Sequence, residues 1–166
     1  TLLRINNINY EKPIIISNKE QRFDVLNNVK KNKIKIDRMV LEDKPKNTAP
    51  AFAIASFFCS QDDILCFLPS DHYIKNQKTF LSAIHNASKL ADQGQLVILG
   101  LNSKFPNTNY GYIKYKNNES KSKFFEVDSF VEKPNLKKAT ALHQNKAFWN
   151  SGIVIIKNKF LKILFK

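Results

Sequence analysis

Apolar residues in this chain come in short blocks separated by Asn, Lys and Pro, and the period of those blocks switches between strand-like and helix-like along most of its length. Pro13–Ser17 is a continuous apolar run bounded by turn signals, the pattern of a strand buried on both faces as in a parallel sheet. Asn18, with Gln21 three residues on, is placed to cap a helix in which Phe23, Leu26 and Val29 or Lys30 recur at helical spacing to about Asn32. A second strand, Arg38–Glu42, leads to a helix that starts near Pro50 and carries Phe52, Ile54, Ala55 and Phe58. The third strand, Ile64–Leu68, is followed by a polar turn. A helix then runs from about Gln77 to Gln93 with Phe80, Leu81, Ile84 and Leu90 on one side and Gly94 as its stop. Gln95–Leu101 reads as a fourth strand.

Strands that alternate with helices in this way give an α/β fold with a mainly parallel sheet and right-handed crossovers. After Gly100 the rhythm changes. Tyr112–Tyr115, a polar loop through Asn117 to Lys123, and Phe124–Glu132 read as two strands in hairpin-like order, so the sheet is expected to be mixed or to carry an insertion. Asn135–Gln144 is a short helix, Trp149–Lys157 another strand, and Asn158–Lys166 the opening of a further helix.

Composition narrows the class. A chain of 166 residues suits one domain, and a domain of about 150 residues buries roughly 70% of the surface its unfolded chain exposes. No apolar run approaches the length of a membrane span, and Thr1–Tyr10 lacks the charged-then-apolar pattern of a signal peptide, so a cytoplasmic protein without a membrane partner is expected. Cys59 and Cys66 sit in apolar stretches without metal-ligand spacing and read as small buried thiols. The net charge of +13 invites a nucleic-acid partner, but the lysines are spread through every segment, Arg occurs only at positions 4, 22 and 38, and Asn is abundant too. A bias toward Lys and Asn explains the charge, and no nucleic-acid partner is expected; the positive potential would still favour an anionic nucleotide.

In an open α/β sheet ligands bind beyond the carboxyl ends of the strands, which directs attention to four places. Asn47, Thr48, Ala49 and Pro50 lead into a helix, where an amide, a hydroxyl and free N–H groups can hold a polar ring or an anion; alone they read as a helix cap. Pro69, Ser70, Asp71 and His72 directly follow the third strand. A carboxylate at that rim is suited to Mg2+, which takes one or two carboxylates with phosphate oxygens and waters, although a lone Asp more often caps a turn. Tyr110, Gly111 and Tyr112 combine a glycine that lets backbone approach a ligand with tyrosines that can pack or offer hydroxyls; a glycine bulge is the plainer reading. Val131, Glu132, Lys133 and Pro134, with Trp149, Asn150, Ser151 and Gly152, stand at strand boundaries. Glu132 and Asn150 can bind sugar hydroxyls and Lys133 a phosphate, whereas Glu132 and Lys133 taken singly read as a solvated ion pair.

Taken in order, these segments resemble the mannose-1-phosphate guanylyltransferases, including the bifunctional type fused to a mannose-6-phosphate isomerase domain. The match is collinear from Pro13–Phe23 through Asn47–Ala51, Pro69–His72, Tyr110–Ile113 and Val131–Pro134 to Trp149–Gly152. The resemblance implies a Rossmann-like mixed, mainly parallel sheet flanked by helices, of the nucleotide-diphospho-sugar transferase type and incomplete at both ends. It implies transfer of a guanylyl group from GTP to mannose 1-phosphate, with Mg2+ as cofactor. On that basis Asn47, Thr48 and Pro50 belong to the nucleotide-binding loop, and Asp71 binds the metal beside the nucleotide. Tyr110, Gly111, Glu132 and Asn150 face the sugar, and Lys133 lies near its phosphate, with Asp71 and Lys133 the catalytic pair. Pro45 and Lys46 stand where the family usually has Gly and Arg. The resemblance also puts the family's glycine-rich, basic motif upstream of Thr1 and a second metal-binding aspartate beyond Lys166. Residues 1–166 are then the central part of a nucleotidyltransferase domain, expected to have negligible activity alone and to work as a homo-oligomer or with a complementing fragment. Another sugar-1-phosphate nucleotidylyltransferase, or a non-catalytic nucleotide-sugar binding module, is the alternative.

Overall fold

The computed structural model describes residues 1–5, 10–43, 48–116 and 124–165. The elements are α1 (Leu2–Ile5), β1 (Ile14–Asn18), α2 (Arg22–Lys31), β2 (Arg38–Glu42), α3 (Thr48–Phe57), β3 (Ile64–Phe67), α4 (Gln77–Asp92), β4 (Val97–Asn102), β5 (Tyr112–Tyr115), β6 (Val127–Val131), α5 (Leu136–Gln144), β7 (Phe148–Lys157) and α6 (Asn158–Leu164). This is the mixed α/β arrangement that the alternating pattern predicts, with α1 an element that no periodicity announced. The chain forms two compact units, Thr1–Val97 with Ile155–Lys166, and Ile98–Val154.

In the first unit β1 and β2 pair in parallel, Ile14 opposite Arg38 and Asn18 opposite Glu42, as a two-stranded sheet of their own. The Asn18 side chain accepts from the Gln21 N–H at 2.8 Å, but Gln21 holds the cap position of α2, so Asn18 closes the turn before the helix. Helix α4 is capped by Asn76, whose side chain accepts from Thr79 N–H, and Phe80, Ile84, Ala87 and Ala91 form its buried stripe. It ends with Gly94 at φ +94°. There the Gly94 N–H donates to Ala91 and the Gln95 N–H to Leu90, satisfying carbonyls that the last turn leaves open. Phe52 of α3 stacks on Phe67 of β3 with ring centroids 3.8 Å apart. Phe58, expected on the α3 face, lies beyond the helix and is partly exposed. Neither cysteine is fully buried, though burial pushes the Cys66 thiol up to about 12.

In the second unit β5 pairs antiparallel with both β6 and β7, Tyr112 standing between Val131 and Trp149. There β4 also pairs with β7. Tyr112, Ala139, Leu142 and Ala147 make the buried core here, with Val131 and Trp149 packed against it. Tyr112, with its cross-strand partners Val131 and Trp149, brings that core to one face of β5, while Ile113 is buried on the other. The core thereby fixes the strand ends where the residues of interest stand.

Candidate functional site

Two groups of the expected residues can be described, one in each unit. In the first, Thr48 opens α3 and Pro50 follows in the same turn, where its missing N–H costs no helical bond. Asn47 lies outside the described residues, as do Pro45 and Lys46. Asp71 stands in the turn just after β3, exposed, with no hydrogen bond or ion pair among the described residues. Among the described residues no group of three or more His, Cys, Asp or Glu side chains is placed to hold a metal ion. A protein-only cage is thus not what Asp71 offers; one free carboxylate at a strand end fits an ion that draws its other ligands from phosphate and water.

The second group is compact. Gly111 precedes β5, Glu132 follows β6 and Asn150 lies in β7, and the antiparallel pairing about Tyr112 brings all three together. The Asn150 N–H donates to the Gly111 carbonyl at 2.8 Å. A Cβ on Gly111 would stand 2.6 Å from Glu132 Oε2 and 3.6 Å from Asn150 Cβ, so the Glu132 carboxylate lies over the bare Gly111 backbone. Glu132 and Lys133 make no ion pair with each other or with any other described residue, which sets aside the solvated-pair reading. Lys133 has a left-handed backbone, φ +38°, an unfavourable conformation for a side-chain-bearing residue.

Hydrogen-bond bookkeeping gives this group a polarity. The Gly152 N–H donates to Asn150 Oδ1 at 2.9 Å, in a turn where Gly152 has φ +70°. A backbone N–H can only donate, so Oδ1 is the atom that faces it and the Nδ2 donors stay available. Glu132 as a carboxylate only accepts. An acceptor and a donor side by side can engage two hydroxyls of one sugar, one donating and one accepting.

Tyr110 packs on Trp149 with centroids 4.9 Å apart, and Phe105 meets the same indole edge-on at 5.2 Å. Trp149 Nε1 is buried without a partner among the described residues. Ser151 donates to the Leu99 carbonyl at 2.5 Å and accepts from the Ile153 N–H at 3.1 Å, fixing β7 just past Asn150. Trp149 stands out in the sequence as part of the Trp149–Gly152 segment, whereas nothing there singles out Phe105, whose contact with the indole depends on residues far apart in the chain.

The sequence model of the family described as Nucleotidyl transferase matches residues 1–166. The mannose-1-phosphate guanylyltransferase of Salmonella montevideo is 38% identical over 164 residues, covering 95% of this chain and 35% of that protein. The mannose-1-phosphate guanylyltransferase of Escherichia coli K12 is 34% identical over 176 residues, covering 100% of this chain and 37% of that protein. Among solved structures, the mannose-6-phosphate isomerase from Helicobacter pylori superposes with a TM-score of 0.83 at 32% identity, over 96% of this chain and 61% of that one. The chain therefore spans about a third of the length of the curated relatives it matches.

Proposed function

This chain belongs to the nucleotidyl transferase family, and from that premise we propose that it takes part in transferring a guanylyl group from GTP to mannose 1-phosphate, giving GDP-mannose and pyrophosphate in the cytoplasm. The observation that carries the reading is the Glu132 carboxylate lying over Gly111 beside the donor amide of Asn150. That arrangement suits a polyhydroxylated ring, and the relatives named above carry mannose 1-phosphate in their names.

In this proposal Glu132 accepts from one sugar hydroxyl and Asn150 Nδ2 donates to another, while Tyr110 packs along the ring and the bare Gly111 backbone lets the sugar approach. Lys133 holds the sugar phosphate, whose oxygen attacks the α-phosphorus of GTP. The new bond joins that oxygen to the α-phosphorus, the bond from the α-phosphorus to the bridging oxygen breaks, and pyrophosphate leaves with the electron pair. Asn47, Thr48 and Pro50 bear on the nucleotide, and Asp71 would hold Mg2+. What Mg2+ supplies when bound is neutralisation of the crowded phosphate charge. The protein's own work is positioning: two anionic groups held in line at close range gain most from lost freedom and fixed charges.

The test supplies the intact gene product with mannose 1-phosphate and Mg2+ and, in turn, GTP, UTP, CTP and dTTP. GDP-mannose and pyrophosphate in equal amounts from GTP are expected. Turnover with another nucleotide in preference to GTP would contradict the reading.

A further inference from the structure

The turn that carries Asp71 is held by more than its own backbone. Ser70 and Asp71 lie in a hydrogen-bonded turn. The carbonyls on either side of Asp71 are in addition tied down by two side chains of the first five residues. Thr1 Oγ1 donates to the Pro69 carbonyl at 2.8 Å and lies 3.3 Å from the Ser70 carbonyl. Arg4 Nη1 donates to the His72 carbonyl at 3.1 Å. The Arg4 carbonyl in turn accepts from Gln77 Nε2 at 3.2 Å, and Gln77 is the first residue of α4. Helix α1 is thus braced against the start of α4 on one side and grips the turn on either side of Asp71 on the other.

We propose that Arg4, with Thr1, is a positioning residue for Asp71. The inference rests on the reading of Asp71 as the carboxylate that binds the metal–nucleotide complex. Its logic is conformational. Holding backbone in one conformation opposes its entropy, so a turn with fewer ties samples more states. Affinity then falls by the fraction of time the carboxylate spends in its competent position. Because Thr1 and Arg4 take up the neighbouring carbonyls and leave the Asp71 carboxylate unengaged, the brace fixes the backbone without competing for the ligand. Arginine suits this place: one N–H of its planar fork of donors binds the His72 carbonyl.

The experiment titrates the intact gene product into Mn2+–GTP and follows water proton relaxation, which reports the complex bound to protein separately from the complex free in solution. Asp71→Asn is expected to weaken binding most. Arg4→Ala should raise the dissociation constant of Mn2+–GTP by about five- to tenfold while kcat at saturating metal and nucleotide stays within about twofold. Arg4→Lys, which can still donate to His72, should recover most of the affinity. If Arg4→Ala does not fold, Thr1→Val carries the same test, since it keeps the side-chain shape and removes only the hydroxyl. Wild-type affinity in Arg4→Ala or Thr1→Val, with Asp71→Asn weakened, would overturn the positioning role and leave the metal reading standing. Wild-type affinity in Asp71→Asn would overturn both.

Discussion

Gly111 lacks a side chain at a place where one would collide with a carboxylate. The atom in the way is the end of a flexible side chain, Glu132 Oε2 at 2.6 Å from the absent Cβ, so the fold can absorb an alanine by swinging Glu132 aside. Gly111→Ala is therefore expected to change unfolding free energy by less than about 1 kcal/mol, measured by urea denaturation. The same variant should raise KM for mannose 1-phosphate by about tenfold, because the acceptor has left its place. The left-handed lysines offer a complementary contrast. Lys146, φ +57°, and Lys133, φ +38°, both occupy backbone conformations that glycine adopts without penalty. Lys146 closes α5, its N–H donating to His143 and the Ala147 N–H to Leu142. Lys146→Gly is expected to stabilise the protein by about 0.5–1 kcal/mol with activity unchanged. Lys133→Gly should be at least as stable as the parent and yet lose most GDP-mannose synthesis; thermal unfolding beside a product assay separates the two. At this scale the sequence was informative about identity and poor about geometry. The segments Tyr110–Gly111–Tyr112, Val131–Pro134 and Trp149–Gly152 stood out by residue type. That Gly111 serves to admit Glu132, and that Asn150 presents only its donors, depends on strand pairing between residues far apart in the chain.

Between elements in the first unit, a tie is made by Asn158, the first residue of α6, which is fully buried. Its Nδ2 lies 3.0 Å from the Ser56 carbonyl and 2.9 Å from those of Cys59 and Ser60, while its own N–H donates to Asp63. One amide thereby anchors the connection from α3 to β3, and its Oδ1 is buried without a partner among the described residues. Asn158→Asp would turn a donor into a carboxylate facing three carbonyl oxygens. Loss of roughly 3 kcal/mol or more is expected, read as a fall in the denaturation midpoint. Elements built on local signals were legible beforehand: α4 from its apolar stripe and Gly94, and the β5 and β6 pair from its change of rhythm. Those that depend on distant partners were not. Helix α1 is four residues long, too short for periodicity to register, and is held by Pro69, His72 and Gln77. The separation of β1 and β2 into their own sheet is likewise decided by pairing and not by the apolar run that makes each a strand.

For the molecule as a whole, charge and family membership bear on the same chemistry. A net charge of +13 favours the approach of a nucleoside triphosphate and a sugar phosphate, both anions, without any demand for a nucleic-acid partner. No helix among the described residues is long and apolar enough to cross a membrane. The central claim is that Glu132, set over Gly111 and beside Asn150, reads the sugar in guanylyl transfer. Glu132 is exposed and unpaired, so replacing it leaves no buried group stranded and its effect can be read as function. The most direct measurement is the pair of KM values for mannose 1-phosphate and GTP in Glu132→Ala, determined on the intact gene product by GDP-mannose formation. A charge-assisted hydrogen bond contributes about 1.5–3 kcal/mol, so KM for mannose 1-phosphate is expected to rise by roughly ten- to a hundredfold with KM for GTP nearly unchanged. An unaltered KM for mannose 1-phosphate, or an equal rise for both substrates, would contradict the account.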